Sequence, residues 1–82
     1  MKMVCISKSN DIAVGLRLAG VESYIIRDNN EILKKIDEIL LLDDIAIINV
    51  TEDVYEIAKE KLDEITKKME LPLILIIPNT KK

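Results

Sequence analysis

The fold class predicted for this sequence is an α/β sandwich of three layers, with four short strands in a parallel sheet and three helices between them. Three observations carry that prediction. Short runs of Ile, Leu and Val alternate along the chain with stretches of helical periodicity. The runs are apolar at consecutive positions, as strands buried on both faces must be. Gly20, Pro72 and Pro78 fall where one stretch gives way to the next.

Taken in order, Met1 to Ile6 is short and apolar and reads as the first strand. Ser9-Asn10-Asp11 supplies cap chemistry for a helix through Ala19, and Gly20 stops it. Ile12, Leu16 and Ala19 are its expected core stripe. Val14 and Leu18 form a second apolar stripe at i,i+4 spacing on its flank. Val21 to Ile26 is the second strand. Asp28 and Glu31 have capping-box spacing, and the helix they open sets Ile32, Leu33, Ile36, Ile39 and Leu40 on one side. Asp44 to Val50 is the third strand. Asn49 or Thr51 is then placed to cap a long helix with Val54, Ala58, Leu62, Ile65 and Met69 towards the core. Asp63–Lys67 and Glu64–Lys68 pairs mark its outer face. Leu71-Pro72 ends it, and Leu73 to Ile77 is a wholly apolar fourth strand closed by Pro78.

The alternation β-α-β-α-β-α-β with right-handed crossovers gives strand order 2-1-3-4, the flavodoxin-like (Rossmann-like) arrangement. Residues 1–78 are expected to form one globular domain and 79–82 a polar end. In this order the first crossover runs one way across the sheet and the next two run the other way. The first helix therefore covers one face, and the second and third share the opposite face. Strands 3 and 4 are left with nothing from this chain over their first-helix side. Both are nevertheless apolar on both sides, with Ile45, Ala46, Ile47 and Ile48 in one and Leu73, Ile74, Leu75 and Ile76 in the other. A bare face of branched side chains marks a partner surface. A partner protein, a second copy of the chain, or a C-terminal extension is the expected cover.

Composition narrows the function classes. The 82 residues carry a net charge of −3, with no Trp or Phe and two Tyr. That excludes the basic face and the stacking platform that nucleic-acid binding needs. No apolar run approaches the length of a membrane span. A single cysteine, Cys5, fits a reducing cytoplasm. No catalytic, cofactor or metal site is expected. The sequence has no His, and its two glycines form no phosphate-cradling motif. Cys5 lies inside a strand, where an inert core thiol is favoured over a nucleophile. Asp43-Asp44 and Glu52-Asp53 sit at helix ends, where a structural role is favoured over acid–base work. Lys8, after the first strand, reads as a solvated loop residue.

GLRLAGV (Gly15 to Val21), DIAIINVTEDV (Asp44 to Val54) and LPLILIIP (Leu71 to Pro78) resemble, in order and spacing, the F subunit of V-type and A-type rotary ATPases. The resemblance implies a non-catalytic component of the central rotor stalk. Such a component binds the coiled-coil D subunit within the cytoplasmic sector that holds the A and B subunits, on the inner face of the membrane. It couples ATP synthesis or hydrolysis to H+ or Na+ transport. The family's C-terminal helical tail has no counterpart within these residues. Arg17, inside the first motif, is a candidate polar contact to the D subunit. Val14, Leu18, Ile47 and Leu75 are candidate apolar contacts on geometric grounds. The alternative reading is a stand-alone flavodoxin-like regulatory or phosphoryl-carrier domain acting through Cys5 or Ser7. A homodimer in isolation is a further alternative.

Overall fold

The computed structural model describes residues 2–79; Met1 and, of the polar end expected at 79–82, residues 80–82 lie outside the described residues. The elements run β1 (Lys2–Ser7), α1 (Asn10–Leu18), β2 (Glu22–Ile25), α2 (Asn29–Leu40), β3 (Ile45–Thr51), α3 (Glu52–Lys68) and β4 (Leu73–Ile77). The sheet is parallel throughout, in the order β2-β1-β3-β4.

The helix ends show the local chemistry. At the C-terminus of α1, Gly20 takes φ +91°. Its N–H donates to the Arg17 carbonyl and that of Val21 to the Leu16 carbonyl, both 2.9–3.0 Å. These two bonds are the Schellman pair, and they need a residue that tolerates positive φ. At the start of α2, the Glu31 N–H donates to Asp28 Oδ2 at 3.0 Å, as the spacing predicts.

The start of α3 differs from expectation. Asn49 is buried and donates from Nδ2 to the Val4 carbonyl (3.1 Å), stitching β3 to β1. Thr51 stands at the N-cap but makes no side-chain cap bond, and its hydroxyl goes instead to Asp53. The helix-start N–H groups are met by Asp53 Oδ1, which accepts from Val54 (2.8 Å), and by Asn79 Oδ1, which accepts from Asp53 (3.0 Å). Residues after β4 thus return to cap α3.

Two further expectations are corrected. Met69 is half exposed, because it follows the last turn in an extended conformation rather than lying on the core stripe. Asp63 accepts from the Tyr55 hydroxyl at 2.7 Å instead of pairing with Lys67, whereas Glu64–Lys68 forms at 3.6 Å.

The core lies on one face of the sheet. Val4, Ile6, Ile48 and Val50 point to it from β1 and β3, and Ile32, Ile36, Val54 and Leu62 close it from α2 and α3. All eight are at most 1% exposed. Lys61 of α3 reaches Asp37 of α2 at 2.8 Å across the top of that layer.

Candidate functional site

Register fixes what the other face carries. Met3, Ile47 and Leu73 lie side by side across β1, β3 and β4, and Cys5, Asn49 and Leu75 form the next row. Their neighbours Val4 and Ile48 point into the α2/α3 core. Side chains alternate along a strand, so these two rows face the α1 side. Cys5 and Ser7 are fully buried there, beneath α1, whose one buried residue is Ala13. Beyond α1 the cover stops. Leu73 is 53% and Leu75 47% exposed, Met3 is also exposed, and Ile47 and Ile77 are half-buried. A sheet face carrying branched aliphatics is therefore open to solvent over β3 and β4, as the topology requires.

The rotation of α1 divides the candidate contacts. Arg17 donates from its guanidinium to the Ser23 carbonyl at 2.9 Å. β2 pairs only with β1, and Ile26 N–H bonds the Ser7 carbonyl. In a parallel ladder alternate residues turn towards the partner. The Ser23 carbonyl therefore points outward from the sheet edge, and Arg17 lies on the flank of α1 over that edge. At about 100° per residue, Val14 and Leu18 stand on the same side of Ala13 as Arg17, while Ile12 and Leu16 stand on the other. So Ile47 and Leu75 share one surface, and Val14, Leu18 and Arg17 lie across the helix from it. The α1 residues that border the open sheet face are Ile12 and Leu16, both half-buried. Ala19, expected in the core stripe, is exposed at the C-cap. Leu18 is 86% exposed.

A second apolar cluster lies at the amino ends of the strands. Exposed Leu42, Met69 and Leu71 border a cleft of about 230 Å³ floored by Ile39 and Ile45. Leu42 and Leu71 sit in connections outside any periodic stretch, and Met69 continues the spacing of the α3 stripe in sequence but lies past the end of the helix, so no sequence pattern marks the cluster.

The carboxyl ends of the strands, where doubly wound sheets place their chemistry, are occupied by internal hydrogen bonds. Ser7 Oγ donates to the Ser9 carbonyl (3.1 Å) and accepts from the Ser9 N–H (2.9 Å). Lys8 donates to Asn29 Oδ1 at 3.2 Å. Burial alone would raise the Asp53 carboxyl. Bonds from Thr51, the Val54 N–H and the Asn79 side chain, with Lys8 nearby, outweigh it and hold the group below its ordinary value. Among the described residues no buried side-chain polar atom lacks a partner. Burial pushes the Cys5 thiol up to about 11, so it holds its proton at neutral pH and is a poor nucleophile.

A family model described as ATP synthase (F/14-kDa) subunit matches residues 3–82, nearly the whole chain. The chain belongs to that family. It is 32% identical over 77 residues to the A-type ATP synthase F subunit of Methanothermobacter thermautotrophicus, covering 93% of this chain and 72% of that one. It is 38% identical over 58 residues to the protein of the same name from Methanocaldococcus jannaschii, covering 70% of this chain and 59% of the relative. The match thus spans less than two thirds of the latter's length. The fold is shared with the crystal structure of the V-type ATP synthase F subunit from Archaeoglobus fulgidus. The TM-score is 0.76 at 22% identity, with 93% of this chain and 95% of that one aligned. Among the described residues of this family member, no helix is long and apolar enough to cross a membrane.

Proposed function

We propose that this chain is the non-catalytic F subunit of an A/V-type rotary ATPase. In this reading it sits in the central stalk beside the A and B subunits, on the cytoplasmic side of the membrane. The open sheet face of Met3, Ile47, Leu73 and Leu75, bordered by Ile12 and Leu16, seats the coiled coil of the D subunit. The chain transmits rotation between ATP turnover and H+ or Na+ transport, and chemistry occurs elsewhere in the complex.

The observation that carries the reading is the uncovered half of the α1 face. Half-exposed Leu73 and Leu75 sit on a strand with no polar side chain. A helix pair offers the long apolar stripe that fits such a patch. The family match and the two archaeal relatives, both named as the F subunit of an A-type ATP synthase, support this choice of complex. The buried Cys5 thiol and the self-paired Ser7 disfavour the phosphoryl-carrier alternative.

The test is affinity for the coiled-coil subunit of the same complex, measured by titration calorimetry. Burying one Leu side chain is worth about 1.5–3 kcal/mol. Leu75→Lys is therefore expected to weaken binding on the order of ten- to hundredfold or more. Leu18→Lys, across α1 from the patch, should bind as the parent does. Equal affinity of Leu75→Lys and parent would reject this docking face, and loss of binding only in Leu18→Lys would move the site to the outer side of α1.

A further inference from the structure

The two edges of the sheet are finished differently. β2 ends the sheet on one side, and its edge is guarded. Arg17 holds the outward Ser23 carbonyl, Lys2 pairs with Glu22 at 3.5 Å, and Lys35 lies 4.5 Å from the centre of the Tyr24 ring. Charges along an edge, and a carbonyl that is already held, both discourage pairing with another strand. β4 ends the sheet on the other side with Leu-Ile-Leu-Ile-Ile and carries none of them.

We propose that free copies of this chain pair edge to edge through β4, antiparallel about Leu75, and merge two sheets into one. The occupant is a second copy because the edge is complementary to itself. In that register Leu73 meets Ile77, Ile74 meets Ile76, and Leu75 meets its own copy, so every cross-strand pair is apolar. The register works whichever set of β4 amides faces outward. A two-fold axis at Leu75 falls on a hydrogen-bonded pair in one case and on a non-hydrogen-bonded pair in the other, and antiparallel ladders contain both. Pro72 and Pro78 bracket the strand symmetrically, so neither copy must extend beyond the other. Ile76, half exposed on the α3 side, gains the Ile74 of the other copy as cover.

The layer above the sheet fits too. α3 packs over β3 and β4, so two copies of α3 would lie about two strand spacings, or roughly 10 Å, apart. That is the distance at which helices pack. Past the irregular turn at Ala58, Lys61 faces α2 through Asp37, which turns Lys59, Asp63 and Thr66 away from α2 towards the β4 side, and the Tyr55 hydroxyl joins them by its bond to Asp63. This flank carries one cation and one anion, so two copies running antiparallel can set opposite charges together. Pairing through the edge leaves the α1 side of Leu73 and Leu75 open, so it is independent of how the stalk partner docks.

The experiment is sedimentation equilibrium of the full chain alone over a wide concentration range, combined with amide hydrogen exchange. The expected result is a rise from the 9.3 kDa monomer to twice that mass, with slowing of exchange at residues 73–77 that tracks the dimer fraction. Ile76→Lys places a charge on the edge under α3 and should hold the chain monomeric, while binding to the coiled-coil partner persists. A monomer at every concentration would overturn the proposal, as would a dimer whose 73–77 amides exchange at the monomer rate. If Ile76→Lys fails to fold, the exchange pattern of the parent chain decides alone.

Discussion

The two faces of the sheet are built from the same kind of residue and end in opposite states. On one, Val4, Ile6, Ile48 and Val50 are sealed by α2 and α3. On the other, a single nine-residue helix seals Cys5 and Ser7 through Ala13 and stops, leaving Ile47, Leu73 and Leu75 uncovered or partly covered. Hydrophobicity of a strand therefore says that a face wants cover, and topology says whether the chain supplies it. The first face accounts for stability and the second is available for association.

Mutation separates the two roles. Ile36→Ala on the sealed side removes a fully buried side chain and should cost about 2–5 kcal/mol of unfolding free energy in urea titration. Leu75→Ala on the open side should cost under about 1 kcal/mol in the isolated chain, because half of that side chain already meets water. A Leu75→Ala cost equal to that of Ile36→Ala would erase the distinction between the faces. The glycines of α1 sharpen it at a smaller scale. Gly20 occupies positive φ, and Gly20→Ala should destabilise by about 1 kcal/mol. Gly15 is helical with open space where a Cβ would stand, and Gly15→Ala should stabilise by about 0.5–1 kcal/mol in thermal unfolding.

The smallest effect concerns acid. Asp53, at the start of α3, is held below its ordinary value in the folded chain. Its contribution to stability is therefore fully present above its unfolded pKa of about 3.9 and is lost as pH falls through that value towards the lower folded one. Asp53→Asn should flatten this part of the stability profile below about pH 4 and leave the profile above it parallel to the parent's. An unchanged acid limb would show that the carboxylate bonds at the α3 start contribute nothing.

The sheet order, the three helices, the Gly20 stop and the Asp28 cap are local or topological features, and the residues announce them. The uncovered half of the α1 face follows from strand order alone, so Ile47 and Leu75 are legible as surface residues before any coordinates. What sequence cannot fix is the rotation of α1. Two apolar stripes, Ile12/Leu16 and Val14/Leu18, have the same i,i+4 spacing. The choice between them is made at long range, by Ala13 seating on the sheet and by Arg17 reaching the Ser23 carbonyl. For the same reason the return of Asn79 to cap α3 and the Tyr55–Asp63 bond are tertiary outcomes without a local signature.

The most direct test places a reporter on the open face. Leu75→Cys introduces a half-exposed thiol while Cys5, buried with its pKa near 11, stays silent to alkylation. Addition of the coiled-coil stalk partner should slow alkylation of that thiol at least tenfold and leave a Leu18→Cys thiol reacting at its original rate. A Leu75→Cys thiol that reacts equally fast in the free chain and in the assembled complex would contradict docking through the uncovered half of the sheet.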